Sequence, residues 1–381
     1  MPKGKIYKSG YFIMNKCEDA NLIYIGGKRA IESASWKYKT QLFEMNHLLE
    51  TAKLQREIKD GTYKPEAGRR FIINERGKIR DVISISCRDK AVNHVICDNV
   101  LTPMLDRYLI YDNSSSRVGK GTKFHRERLE QHLHEYYRKY GNKGYILLGD
   151  FRKYYASIDA VKATNKVIHL LDKTGELTAS EISQVEKLLH LILGEDIGIN
   201  IGGQPSQNVG ITYAYRVDNY VQTVCSQRWY ARYSDDFRVI HPDRDYLLEL
   251  LEGIKETAAK EGLTVHPNKT HVARLDEPFT HLQISYRLSD TGKIIKRIKP
   301  KAVKRERDRL KALKRLLDAG RISEDDIENA FKSWLMENYK VMSVQQIQNI
   351  NNLYQELFRR KIAWKNSRLR YLTEVNSQTW R

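Results

Sequence analysis

The sequence predicts an α+β fold, a mixed sheet covered by helices, and two features of the pattern lead there. Through the centre of the chain, short apolar runs suited to strands alternate with segments of helical periodicity. Beyond residue 300 the pattern is helical throughout. At 381 residues with 41% hydrophobic content, the chain can form two or three lobes with cores of their own. It carries no internal repeat or low-complexity tract and only 8 prolines, so closely packed lobes without long linkers are expected.

Taken in order, residues 38–58 place Leu42, Met45, Leu48, Leu49, Leu54 and Ile58 at helical spacing, an amphipathic helix ended by Asp60-Gly61. The stretch RRFIINERGKIRDVISI reads as strands at 70–74 and 79–85 about a tight turn at Arg76-Gly77, and it is rich in arginine and lysine. A helix from Asp89 to Leu105 follows. GYILLGDF is a short buried strand, 182–193 a helix, and 206–225 another with Ser206 as its N-cap. WYARYSDDFRVIH, residues 229–241, is a hairpin with Ser234, Asp235 and Asp236 at its tip. A helix over Tyr246–Lys260, a strand-like GLTVHPNKTHVARL and a second hairpin, THLQISYRLSD with GKIIKRI, complete the mixed region.

Bulk properties narrow the partners. A formal charge of +19, from 66 basic against 47 acidic residues, points to a polyanion, with nucleic acid first among them. No apolar run approaches the roughly 20 residues of a membrane span, and the N-terminus lacks the apolar core of a secretion signal, so a cytoplasmic protein without membrane contact is expected. Four cysteines, Cys17, Cys87, Cys97 and Cys225, form no C-x-x-C pair, which argues against a structural zinc and for reduced thiols.

The adjacent carboxylates of Asp235 and Asp236 repel one another and call for a neutralising partner. A hard divalent cation such as Mg²⁺ takes oxygen ligands and also binds substrate phosphates. Asp150, at the end of the YILLGD strand, supplies a third acid where α/β sheets carry their sites. Taken singly, each acid is better explained as a solvated turn or a helix cap than as a ligand; the three together with the charge balance favour a metal site.

At this point the chain resembles reverse transcriptases. YSDD at 233–236 fits their Y-x-D-D box, GDFRKYYASID fits their first catalytic box, and between them Ile201, Gly202, Ser206 and Gln207 resemble [IVL]-G-x-x-x-S-Q. The GKIR turn with Lys78 and Arg80 is similar to the fingers hairpin that grips the triphosphate, LTVHPNKT to the palm's lysine box, and LQISYRL stands where the primer grip belongs. The resemblance covers residues 40–345. It implies a right-hand polymerase fold: an N-terminal helical extension over 1–60, fingers over 61–145, a palm over 146–290, and a basic helical thumb with C-terminal helices over 291–381.

The resemblance also implies roles. Asp150, Asp235 and Asp236, with the backbone carbonyl of Phe151, would hold two Mg²⁺ ions, Mn²⁺ being a substitute, for attack of a primer hydroxyl on a nucleotide α-phosphate. Lys78 and Arg80 would sit over the β- and γ-phosphates, unless they are an ordinary exposed basic turn. Tyr155, five after Asp150, would exclude a ribose 2′-hydroxyl; a core tyrosine is the alternative. Gln207 would lie at the nucleotide, Ser206, Tyr233 and Ser234 at template and primer, and Lys269 would act as general acid toward pyrophosphate.

Residues 293–315 hold twelve Lys or Arg against two acids, a surplus of ten and more than half of the net charge. Val303, Leu310, Leu313 and Leu317 give that segment one packing face, leaving Lys301, Lys304 and Arg305 to track duplex phosphates. The aromatics Trp334, Tyr339, Tyr354, Trp364 and Tyr371 are either the core of a helical bundle or stacking surfaces for RNA bases.

Among reverse transcriptases, the SQ of the middle box, VGKGTKF at 118–124 and FKSWLMENYK are most similar to those of prokaryotic diversity-generating retroelements. These are related to group II intron-like and phage-defence enzymes. The resemblance implies an RNA template, an RNA/DNA duplex, deoxynucleoside triphosphates, and either a small basic helical accessory protein or, in defence systems, a structured non-coding RNA. Gln283-Ile284-Ser285-Tyr286 departs from the usual Phe-Leu-Gly-Tyr, with Ser expected at a turn. No zinc-finger or H-N-H pattern follows the thumb and no RNase H domain is recognisable, so an intron maturase-endonuclease is not expected. A catalytically idle RNA-binding protein on a polymerase scaffold is the alternative from another class.

Overall fold

A computed structural model describes residues 15–75 and 78–374. In chain order the helices α1 (Ala20–Glu32), α2 (Tyr38–Met45) and α3 (His47–Lys59) precede strands β1 (Arg69–Glu75) and β2 (Lys78–Ser84). Then come α4 (Cys87–Ile96), α5 (Thr102–Leu105), α6 (Thr122–Tyr140), β3 (Tyr145–Asp150), α7 (Tyr154–Ser157), α8 (Ala160–Asp172), α9 (Ala179–Leu193), α10 (Gln204–Tyr213) and α11 (Tyr215–Asn219). The hairpin of the YSDD stretch is β4 (Tyr230–Tyr233) and β5 (Asp236–His241), followed by α12 (Arg244–Lys260), β6 (His271–Arg274), β7 (Phe279–His281), β8 (Ile284–Leu288) and β9 (Ile294–Ile298). Helices α13 (Pro300–Asp318), α14 (Glu324–Asn338), α15 (Val344–Phe358) and α16 (Ser367–Glu374) end the described chain.

The chain divides into two compact units. The first runs to His125 and adds Gly149–Val239 and Asp245–His271; the second takes Arg126–Leu148, Ile240–Arg244 and everything from Val272 on. In the first, α1 lies close on α4, where a Cβ on Gly26 would stand 2.6 Å from the Ala91 carbonyl oxygen. β1 and β2 pair antiparallel, Glu75 opposite Lys78 and Ile73 opposite Arg80, while the turn expected at Arg76-Gly77 lies outside the described residues.

A four-stranded sheet has the order β4-β5-β3-β6. In β4 and β5, Tyr230, Arg232, Phe237 and Val239 share one face, because directly paired residues point the same way. Phe237 fills the space over Gly149, where a Cβ would meet its ring at 2.0 Å, and its ring lies 5.3 Å from that of Phe151. Only a glycine before Asp150 lets the two strands close at that point.

The second unit holds an antiparallel three-stranded sheet, β7-β8-β9, and the C-terminal helices. Leu310 packs fully on the inner face of α13, with Val303, Leu313 and Leu317 half-buried beside it. Phe331 stacks on Tyr354 at 4.7 Å and meets Trp364 edge-on at 6.5 Å; Tyr354 and Trp364 are buried, so these two are core rather than stacking surfaces.

Four expectations need correction. The helix over 38–58 is two helices broken at Asn46, and the break turns Leu42, Met45, Leu48 and Leu49 to solvent, while Phe43, His47, Thr51, Leu54 and Ile58 face inward. Ser206 is not an N-cap: α10 begins at Gln204, capped by Gly203, with Pro205 in its first turn, so Ser206 is already helical and buried. Asp236 is not at a hairpin tip but is the first residue of β5, paired with Tyr233. Ser285 is not at a turn; it pairs with Thr280 in β8, and the positive φ angles fall on Leu282 and Gln283.

Candidate active site at the Ser234–Asp235 turn

β4 and β5 are joined by two residues alone, Ser234 and Asp235. Ser234 has φ +56° and Asp235 does not share the positive sign, the φ pattern of a type II′ hairpin turn, which suits the right-handed twist of the strands. A non-glycine residue in that region costs of order 1–3 kcal/mol and persists only where its surroundings hold it. Those surroundings are visible on both sides. The Asp235 carbonyl accepts from the Phe151 N–H at 2.9 Å, which ties the turn directly to the residue after Asp150. Tyr233 hydrogen-bonds Thr122 at 3.1 Å between hydroxyls, and its ring meets His125 edge-on.

Asp150 ends β3 and is buried, with about a tenth of its side chain exposed. Its backbone carbonyl accepts from the His266 N–H at 2.7 Å, and Phe151 bridges to Val265, so the segment before β6 lies along the strand end. That segment delivers Lys269, whose half-exposed ammonium donates to both Asp150 carboxylate oxygens at 2.9 and 2.8 Å. Such charge-assisted bonds are short because both partners are ionised.

Asp150, Phe151, Asp235 and Lys269 are thus brought together on one patch of the first unit. Among the described residues no three His, Cys, Asp or Glu side chains are gathered as for a metal ion, so the expected convergence of Asp150, Asp235 and Asp236 is not present as a triad. The donor chemistry still suits a hard divalent ion: carboxylates at Asp150 and Asp235, and a cation, the Lys269 ammonium, already drawn to Asp150. Mg²⁺ commonly takes one or two carboxylates and completes its shell with substrate phosphates and water.

The remaining candidates are distributed as follows. Tyr155 is half-buried, its ring against Gly210 of α10, where a Cβ would come within 2.7 Å of it. Burial raises its phenol pKa, opposed by a hydrogen bond with Ser234, so the ring is neutral and leans on the turn. Gln207 is exposed on α10. Lys78 and Arg80 lie on β2, their side chains outside the described ones. Lys301, Lys304 and Arg305 are all exposed on α13 of the second unit.

A family model described as reverse transcriptase (RNA-dependent DNA polymerase) matches residues 64–304, a span that contains every residue of this patch. The chain belongs to the reverse transcriptase family. Its fold class is accordingly the right-hand polymerase fold. No curated protein matches the chain. Among solved structures it is similar to telomerase from Candida albicans in complex with a TWJ fragment of telomeric RNA, at 11% identity and TM-score 0.47, over 82% of this chain and 61% of that one. The reverse transcriptase chain therefore spans less than two thirds of that telomerase chain.

One residue beside the Ser234–Asp235 turn escaped sequence reasoning. Arg232, inside β4, is fully buried and makes an ion pair with Asp218 of α11, also fully buried. The signal was an arginine in the middle of an otherwise apolar strand, YARY, because a charge there demands a partner.

Proposed function

We propose that this chain is an RNA-directed DNA polymerase that makes cDNA by nucleotidyl transfer at the Asp150–Asp235 patch. The observation that carries the reading is the backbone bond from Phe151 to Asp235, which joins the end of one strand to the turn of another and brings two carboxylate-bearing residues to one place. Asp150, Asp235 and the Phe151 carbonyl would hold divalent ions, Mg²⁺ or Mn²⁺, with Asp236 in support. When bound, such ions lower the charge barrier between a primer hydroxyl and a nucleotide phosphate. Lys269, whose ammonium donates to both Asp150 carboxylate oxygens, would act as general acid toward departing pyrophosphate. Tyr155 excludes the ribose 2′-hydroxyl by clash, with Gln207 at the nucleotide and Ser206, Tyr233 and Ser234 toward template and primer.

In this reading residues 61–145 serve as fingers, with Lys78 and Arg80 on the triphosphate, 146–290 as palm and 291–381 as thumb, where Lys301, Lys304 and Arg305 track the duplex. The biological setting proposed is a prokaryotic diversity-generating retroelement that copies a template-repeat RNA with errors, helped by a small basic helical protein. What supports it is the sequence resemblance of the SQ of the middle box, VGKGTKF at 118–124 and FKSWLMENYK to such enzymes. A template repeat, a variable repeat and a small accessory gene in the neighbouring DNA are the expected outcome; a dedicated non-coding RNA gene instead would favour a defence enzyme.

The activity is tested by primer extension on poly(rA)/oligo(dT) with Mg²⁺. The wild type extends the primer and Asp235→Ala does not; an inactive wild type, or activity surviving in Asp235→Ala, would return the chain to a non-catalytic RNA-binding role.

A further inference from the structure

Arg232 and Asp218 form a buried ion pair with no solvent-exposed atom on either side chain. Arg232 Nε donates to Asp218 Oδ1 and Nη2 to Oδ2, each at 2.7 Å, a bidentate fork, and Tyr230 Oη donates to Oδ1 at 2.6 Å. Nη2 also donates to the Ile211 carbonyl at 2.7 Å. Burial opposes the charge on Arg232, but the Asp218 carboxylate more than offsets this and holds its pKa above the ordinary arginine value. A pair of this kind is poor value as a stabiliser, because apolar residues of similar volume often do as well or better.

The remaining donor shows what else the pair does. Arg232 Nη1 reaches past its own strand to the Ser234 carbonyl at 2.9 Å. That carbonyl belongs to the peptide unit leading into Asp235, and the carbonyl of Asp235 itself is held by the Phe151 N–H. Both peptide units flanking the Asp235 side chain are thereby fixed, one by Arg232 and the other by the residue after Asp150. The left-handed φ of Ser234 is the kind of local strain that such a clamp sustains.

We infer that Arg232 is a positioning residue for the catalytic turn: anchored on Asp218, its guanidinium sets the Ser234–Asp235 peptide and with it the place of Asp235 relative to Asp150. The inference rests on the polymerase reading above. It touches neither substrate nor reacting atoms, and its effect passes through backbone geometry alone. Lysine cannot replace it, since one ammonium cannot span Asp218, Ile211 and Ser234 in the fork's fixed geometry.

The test uses two variants of the full chain. In Arg232→Met/Asp218→Leu/Tyr230→Phe the buried polar group is removed as a unit, so that no charge is stranded, and Arg232→Lys keeps charge without the fork. Both are compared with wild type by thermal unfolding, by steady-state primer extension on poly(rA)/oligo(dT), and by Mn²⁺ titration followed by electron paramagnetic resonance. Expected are folded proteins with kcat lowered about 100-fold, the scale of an ångström misplacement. KM for dTTP stays within about 3-fold, because ground-state binding is untouched. Mn²⁺ affinity falls by about 10- to 100-fold, as for loss of a group that orients a metal ligand.

A folded variant with wild-type kcat and wild-type Mn²⁺ affinity overturns the inference, and so does failure of both variants to fold, which would make the pair a structural brace. A wild type that extends no primer sinks the polymerase reading instead, and the Mn²⁺ titration separates that outcome from failure of the Arg232 role.

Discussion

Two glycines mark how tightly single residues are fitted around the Asp150–Asp235 patch. A methyl group on Gly149 would press into the Phe237 ring at 2.0 Å, in a buried strand one residue before Asp150. Gly149→Ala is expected to destabilise the fold by about 1–3 kcal/mol through overpacking, read as a lower unfolding midpoint in urea. Gly210 stands against the Tyr155 ring instead, with the would-be Cβ 2.7 Å from the ring edge. Since Tyr155 is only half-buried, its ring has room to tilt, and the cost falls on position rather than stability. Gly210→Ala should therefore lower discrimination against ribonucleotides by about 10-fold, measured as the ratio of kcat/KM for dTTP and UTP. Unchanged discrimination would mean that Tyr155 does not set sugar choice.

At the scale of elements, legibility depended on whether a pattern was local. The strand YILLGD and the hairpin about Ser234 were readable because alternation, length and turn sit within a dozen residues. The break at Asn46 was not, because nothing in the periodicity of 38–58 says which of two overlapping apolar stripes finds a partner; tertiary packing chose Phe43, Leu54 and Ile58. The pairing of Arg232 with Asp218 was equally hidden, joining a strand to a helix 14 residues upstream. Helix α13 mixes the two cases. Its packing face was predicted through Val303, Leu310, Leu313 and Leu317, yet Glu306 also lies in that face, 4% exposed, with Arg309 as its ion-pair partner at 3.3 Å.

Burial raises the Glu306 pKa above its ordinary 4.5, against the pull of Arg309. A raised carboxyl pKa means that the folded state holds a proton the unfolded chain has released, so stability declines as pH climbs above 4.5 toward the folded value. Glu306→Gln removes that penalty. The variant should be more stable than wild type at pH 7.5, the gain shrinking as pH falls and lost by about pH 3.5, a unit below the free value, in paired thermal melts. A gain that is the same at both pH values would show that titration of Glu306 is not its source.

For the whole molecule, charge was the most readable property, because a formal +19 needs no fold to be counted. No described helix is long and apolar enough to cross a membrane, and the segment 293–315 concentrates ten of those surplus charges on and beside α13. Lys301, Lys304 and Arg305 are exposed along the first turns of that helix, while Glu306 beside them is buried and paired with Arg309. Contacts of this kind neutralise phosphates and release counterions, so they weaken steeply with salt and carry no sequence information. Replacing the three by alanine should lower affinity for an RNA/DNA duplex uniformly across sequences. It should also flatten the plot of log affinity against log salt by about one unit per residue removed. Since these residues lie outside the Asp150–Asp235 patch, kcat at saturating duplex stays at the wild-type value. Fluorescence anisotropy with a labelled duplex over a salt series measures the slope, and a slope unchanged in the triple variant would take α13 out of the duplex-binding surface.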